Sequence, residues 1–298
     1  VGRITDYNSS GKTIAASTTV TFTASDCPSA GVVAYHIVMT GAGNTFNALS
    51  RIRVKANGVP FYDIAPDYFR SWMQRFTHGQ MHYPANQAIN NLSAAGTPVD
   101  WRRLTIPFCF IDREKSEEAD VCQFPVGSQP TVELVFNANG VAGSAFIGWT
   151  ETDIPARCWP KLRGEQANIS ASVTSGRFPI VEDGVLRGFG VETTGCSRAR
   201  FVLNGRQVYH AQGQPANSTT VTEDVMLLET EMAFGGASYA VVAGTAAQDN
   251  SIQDPAWIKV TSGDRGSAGR SFFEAGTTAA WSGASSELGI YAIVPYEK

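Results

Sequence analysis

The stretch RIRVKANGVPFYDI, residues 51–64, decides how the chain folds. Ile52, Val54 and Ala56 alternate with Arg51, Arg53 and Lys55, the two-residue period of a strand with one face in a core. Asn57-Gly58 follows, the pair best suited to the left-handed backbone of a two-residue type I′ turn, and the chain then runs back. A second stretch, RARFVLNGRQVYHA, residues 198–211, has the same form around Asn204-Gly205. At an offset of 147 residues (198 − 51), Arg51/Arg198, Arg53/Arg200, Asn57/Asn204, Gly58/Gly205 and Tyr62/Tyr209 coincide, five of fourteen positions. Identities at that level arise by chance; two hairpins half a chain apart are the physical content of the match.

The flanks repeat in the same order. A strand ending in Thr-Gly precedes each hairpin, at 34–41 and at 188–195. A helix follows each. Pro66 stands at a first helical position, and Tyr68, Phe69, Trp72, Met73 and Phe76 mark one face until Gly79. In the second half Glu223 and Asp224 favour a helix start, and Val225, Leu228 and Met232 continue to Gly235. Strands then close each half, at 101–110, 131–137 and 145–150, and at 256–261, 270–275 and 288–294. The segment 153–164 has two prolines and no period, which places a boundary there.

These elements predict an all-β chain of two tandem units, each with a short inserted helix, and about seven or eight strands per unit with long connections suit a jelly roll or another Greek-key sandwich. The expected division is a polar N-terminal segment over 1–17, a first roll over 18–155, a linker over 156–164 and a second roll over 165–298. Glycine at 29, proline at 14 and charged residues at only 17% fit short strands joined by turns and a surface suited to many neighbours.

Charge excludes a nucleic-acid magnet. The net charge is −4, and cutting at residue 160 leaves 12 basic against 13 acidic residues before it and 11 against 14 after it. The first twenty residues hold only Arg3, Lys12 and Asp6 as charges, so no basic arm is present to neutralise phosphates. Cys27, Cys109, Cys122, Cys158 and Cys196 are odd in number and widely spaced, which reads as reduced, buried thiols rather than a disulfide framework. No apolar run reaches the ~18 residues of a membrane span. Val1-Gly2-Arg3 does not read as a signal peptide, and the chain is expected to be soluble and intracellular.

No motif announces catalysis, and the chain is not expected to be an enzyme. Ser10-Gly11-Lys12-Thr13 ends like a phosphate-binding loop, but Asp6 stands where its first glycine belongs. His78 and His82 are spaced for one metal ion on a helix, which Gly79 interrupts, so a polar loop is expected. The acidic run 112–120 lacks the glycine and alternation of a calcium loop and reads as a solvated connection, with a weak cation site left open. No Gly-x-Ser-x-Gly elbow occurs, and His36, His78, His82 and His210 are the only imidazoles a nucleophile could use. Asp63, Glu133, Glu151 and Glu192 could supply a carboxylate pair or be outward strand residues. Trp72, Trp101, Trp149, Trp159, Trp257 and Trp281 are scattered and read as core and contact residues rather than a sugar platform. No catalytic, cofactor-binding or metal-binding residue is therefore assigned, and no cofactor.

The duplicated plan, with LTIPFCF at 104–110, an acidic loop and QFPVGSQPTVELVF at 123–136, resembles the double jelly-roll major capsid proteins of tailless icosahedral bacteriophages. The resemblance implies an all-β double jelly roll, two tandem eight-stranded jelly rolls each with a short inserted helix, and a homotrimer whose six rolls form a pseudo-hexagonal capsomer, with lateral capsomer contacts in an icosahedral shell. It also implies penton and minor capsid proteins as partners, in some cases a membrane beneath, location in the virion, and assembly in the host cytoplasm. Two alternatives remain: a carbohydrate-binding β-sandwich, and a glycan-releasing amidase with two jelly rolls and a carboxylate pair such as Asp63 and Glu192.

Overall fold

A computed structural model describes residues 3–4, 11–41, 44, 48–76, 102–109, 122–166, 175–179, 184–191, 196–212, 256–259, 272–277 and 287–296. The chain divides into two compact units: unit 1 comprises 1–69, 82–161 and 294–298, and unit 2 comprises 70–81 and 162–293. The only helix among the described residues is α1 (Pro66–Phe76). The nine strands that begin in unit 1 before residue 152 are β1 (Arg3–Ile4), β2 (Lys12–Ile14), β3 (Thr19–Thr23), β4 (Val32–Met39), β5 (Leu49–Ala56), β6 (Val59–Ile64), β7 (Arg102–Pro107), β8 (Pro130–Phe136) and β9 (Gly143–Glu151). They are followed by β10 (Cys158–Gln166), β11 (Ser175–Pro179), β12 (Val185–Val191), β13 (Cys196–Leu203), β14 (Arg206–Gln212), β15 (Ala256–Lys259), β16 (Phe272–Thr277) and β17 (Glu287–Pro295).

The quoted hairpin is the tip of a long antiparallel ribbon. In unit 1, β5 pairs with β6, β4 with β7, β3 with β8, and β2 with β9, each pair nested outside the last. Short β1 also joins β9. The ribbon then rolls up, so β4 pairs with β9 and β5 with β8, which gives the two sheets of a jelly roll. Unit 2 repeats this with β13–β14, β12–β15, β11–β16 and β10–β17 nested, closed by β12–β17 and β13–β16. The chain is a double jelly roll.

The repeat extends to individual residue pairs. Asn57 and Asn204 both have φ 52°, and Gly58 and Gly205 have φ 81° and 83°, the left-handed pair that a type I′ turn needs. From the turn, Ala56 faces Val59 and Lys55 faces Pro60, then a bulge skips Phe61 so that Val54 faces Tyr62. In unit 2 Leu203 faces Arg206, Val202 faces Gln207, and the bulge skips Val208 so that Phe201 faces Tyr209. A second bulge falls between Leu49 and Arg51 against β8, and its counterpart between Cys196 and Arg198 against β16, again 147 residues on (196 − 49). A third falls between Val32 and Ala34 against β9 and between Leu186 and Gly188 against β17. Bulges bend and twist a strand, so three shared ones give the two rolls the same curvature from different side chains.

Cores follow from strand alternation. Val132, Leu134 and Phe136 of β8 point inward with Ile52 and Val54 of β5, all at most 2% exposed. Tyr35, Phe61, Tyr62, Phe108 and Phe124 fill one end of unit 1 with edge-to-face contacts at 5.2–6.0 Å. Helix α1 begins at Pro66 with Asp67 in its first turn, and Tyr68, Phe69, Trp72 and Met73 are buried as their spacing implies. From Arg70 on, the helix belongs to unit 2, where Trp72 and Phe76 lie 5.3 and 4.7 Å from the Tyr291 ring. The helix expected over 223–235 lies outside the described residues. The aperiodic segment 153–164 contains the start of β10, which runs from unit 1 into unit 2.

Candidate functional site

Of the carboxylates singled out in the sequence, Asp63 and Glu133 lie on one outer strip of unit 1. Across β8, β5 and β6 the register sets Glu133, Arg53 and Asp63 in one row. Asp63 Oδ1 accepts from Arg51 Nε at 2.5 Å and Arg53 Nε at 3.1 Å; Glu133 Oε1 accepts from Lys55 Nζ at 2.5 Å. Arg53 Nη1 also lies 3.9 Å from Glu133 Oε2. A glycosidic or amide substrate would have to sit between two carboxyls, and Arg53 fills that place. The strip is an ion ladder, with each part-exposed pair contributing about 0–1 kcal/mol. Glu151 instead accepts the Trp149 Nε1–H at 2.6 Å. Glu192 lies outside the described residues.

His36 is buried between two hydroxyls, with Nδ1 3.0 Å from Thr105 Oγ1 and Nε2 2.7 Å from Thr150 Oγ1. A histidine beside a hydroxyl is the beginning of a nucleophile pair, but here a second threonine stands where an orienting carboxylate belongs. His36 stitches β7, β4 and β9 together. His210 of β14 faces Arg200 in the register, and His78, His82 and the 112–120 run lie outside the described residues. Lys12 belongs to a strand, not a phosphate loop, and pairs with Asp26 at 2.9 Å. Burial raises the Asp26 carboxyl, but the Thr23 N–H and Lys12 bonds prevail and hold it below its ordinary value. Among the described residues no three His, Cys, Asp or Glu side chains gather as a metal site, and no helix is long and apolar enough to cross a membrane.

Of the cysteines, Cys27, Cys122 and Cys158 are buried thiols and Cys109 is half-buried. Burial pushes the Cys27 thiol up to about 12, with the Asp26 charge adding to the rise and a Tyr35 bond opposing it, which makes it an inert packing residue. Cys122 and Cys158 are different. Their sulfurs stand 2.8 Å apart, and the two residues form an isolated parallel β-bridge. No motif could have joined them, because they are 36 residues apart and each lies beside an irregular segment. Tyr296 lies over the same region: its N–H donates to Arg157 O, and its hydroxyl accepts from the Val126 N–H at 3.0 Å. Burial raises the Tyr296 phenol, the Val126 bond opposes, and the charges of nearby Cys158 and Cys122 add to the rise.

No protein-family model and no curated protein matches the chain. Its fold is similar to several solved structures. The crystal structure of the major capsid protein (MCP) of STIV has a TM-score of 0.63 at 11% identity, covering 98% of this chain and 96% of that one. A chain in the atomic structure of Sulfolobus Turreted Icosahedral Virus has a TM-score of 0.61 at 12% identity, covering 98% and 89%. The major capsid protein P2 from bacteriophage PM2 has a TM-score of 0.54 at 13% identity, covering 100% and 99%. The likeness spans both jelly rolls and is one of fold.

Proposed function

We propose that this chain is a viral major capsid protein, three copies of which form a pseudo-hexagonal capsomer of an icosahedral shell. The observation that carries this reading is the pair-for-pair repeat of one roll in the other, down to three bulges. A threefold assembly of a chain with two alike rolls offers six alike rolls around its axis, and a near-sixfold outline can tile laterally with itself. The similarity in fold to the major capsid proteins of STIV and of bacteriophage PM2 supports the same reading.

Several consequences follow. A six-roll trimer cannot fill a fivefold vertex, so the shell needs a distinct penton protein, with minor capsid proteins at other irregular positions. The balanced charge, −4 overall, leaves genome contact to other components, such as a membrane beneath the shell. The protein resides in the virion after assembly in the host cytoplasm, and its work is geometric rather than catalytic. Light scattering on the purified chain tests this: the expected mass is three times the 31.9 kDa chain, or larger shell-like particles. A monomer persisting at high concentration, with no particles by negative-stain imaging, overturns the proposal.

A further inference from the structure

We propose that Cys122 and Cys158 are the site of an intrachain disulfide that locks unit 1. Their 2.8 Å separation is inside the contact distance of two non-bonded sulfurs and within about 0.8 Å of a disulfide's ~2.05 Å bond. The backbone already has the required geometry. A β-bridge sets Cys122 beside Cys158, at the neighbouring-strand spacing of about 4.8 Å that falls inside the Cα range disulfides adopt. The Gln123 N–H donates to Cys158 O at 3.1 Å, and Gln123 Nε2 donates to Ile154 O at 2.5 Å, so the residue next to Cys122 ties the two segments together twice.

The bond would close a loop containing β8 and β9, the last two strands of the first roll. Its chemistry balances with a low-molecular-weight disulfide such as glutathione disulfide as oxidant. One cysteine, as thiolate, attacks a glutathione sulfur and expels one glutathione thiolate, giving a mixed disulfide. The second cysteine loses its proton and attacks the protein-side sulfur, the new S–S bond forms, and the second glutathione leaves as thiolate. Two thiols are oxidised and one glutathione disulfide is reduced to two thiols. With the cysteines 2% and 3% exposed, closure takes place during folding or local opening, before Tyr296 seats against Arg157 and Val126. Once closed, the bond is shielded from reductants by the same burial.

Thiol counting tests the proposal. The full chain is held natively in glutathione disulfide, and a second sample is refolded in a glutathione redox buffer; both are acid-quenched, unfolded and alkylated with iodoacetamide. Of five cysteines, three take the label, the peptides carrying Cys122 and Cys158 map as one linked species, and dithiothreitol restores all five. Five labels in both samples, or a link mapped between other cysteines, overturns the assignment. Oxidation raises the thermal midpoint of the wild type by about 5–10 °C. Cys158→Ala keeps four labels and shows no such rise; an equal rise in that variant also overturns the proposal.

Discussion

Gly190→Ala should destabilise unit 2, and the structure states why. A Cβ at Gly190 would lie 2.5, 2.7 and 2.9 Å from Cε2, Cζ2 and Cδ2 of Trp257, the residue directly opposite it on β15. That ring cannot step aside. It is 1% exposed, its Nε1–H donates to Ser71 Oγ at 3.1 Å, and Phe76 packs edge-on at 6.2 Å. Overpacking a fixed core costs about 1–3 kcal/mol. Replacing glycine stiffens the unfolded chain and returns about 0.4–1 kcal/mol. The net loss is about 1–2 kcal/mol, or a fall of about 3–6 °C in the thermal midpoint of a body of 150–250 residues. Trp257→Leu alone should cost about 2–4 kcal/mol, because it empties the ring's site. In that background Gly190→Ala should cost nothing or stabilise, giving a coupling of about 1–3 kcal/mol in a double-mutant cycle. Urea unfolding followed by circular dichroism reads all four proteins without relying on the lost tryptophan. A Gly190→Ala effect within 0.5 kcal/mol of zero, or an equal cost in both backgrounds, would refute the packing argument.

Other perturbations separate the remaining contributions. Gly58→Ala meets nothing within 4 Å, so its cost is conformational alone, about 1 kcal/mol at φ 81°, readable as a lower urea midpoint with unchanged slope. Thr105→Val keeps the shape but leaves His36 Nδ1 without that partner, and should cost about 1–3 kcal/mol in the same assay, while Thr19→Val at an exposed position should not. Asp26→Ala removes the acceptor of the Thr23 N–H and the partner of Lys12, at a cost of about 1 kcal/mol at neutral pH. Because the folded carboxyl is held below its ordinary value of 3.8, Asp26 stabilises above that value and its contribution fades as pH falls through the lower folded value. Thermal midpoints of wild type and Asp26→Ala should therefore converge between pH 5 and strongly acidic solution, and a constant gap would contradict the assignment.

How much was legible in the sequence depended on whether local chemistry and tertiary role agreed. Asn57-Gly58 and Asn204-Gly205 could be read directly, because a left-handed turn admits few residues, and both occupy that conformation. Pro66 and the stripe from Tyr68 to Met73 also survived, since a helix start and a buried face leave separate marks. β10 escaped notice although it alternates: Cys158, Pro160 and Leu162 are buried while Trp159, Lys161 and Arg163 are half-exposed. A proline pointing inward and a tryptophan pointing outward invert the usual signs, so the period was present but not in hydrophobicity. The site residues divide in the same way. In sequence Asp63 and Glu133 fit a catalytic pair or outward strand residues equally well, because only the strand register places Arg53 between them. The Cys122–Cys158 contact was invisible because it is made by the closing of the whole roll, not by any local pattern.

The two rolls also indicate which feature of the repeat is retained. At matched positions of the β4–β7 and β12–β15 pairs, unit 1 has His36 opposite Thr105, joined by a hydrogen bond, and unit 2 has Gly190 opposite Trp257, joined by ring contact. A polar stitch and a tryptophan ring seated over a glycine share neither volume nor chemistry, yet the strands around them keep one register and the bulges fall at corresponding residues. If burial alone were being preserved, the bulges would have no reason to stay in place, since a core can be filled around many strand curvatures. Their recurrence means that the path of the backbone is what the two halves hold in common. The trimer proposed above, with six alike rolls around its axis, draws on that shared backbone path.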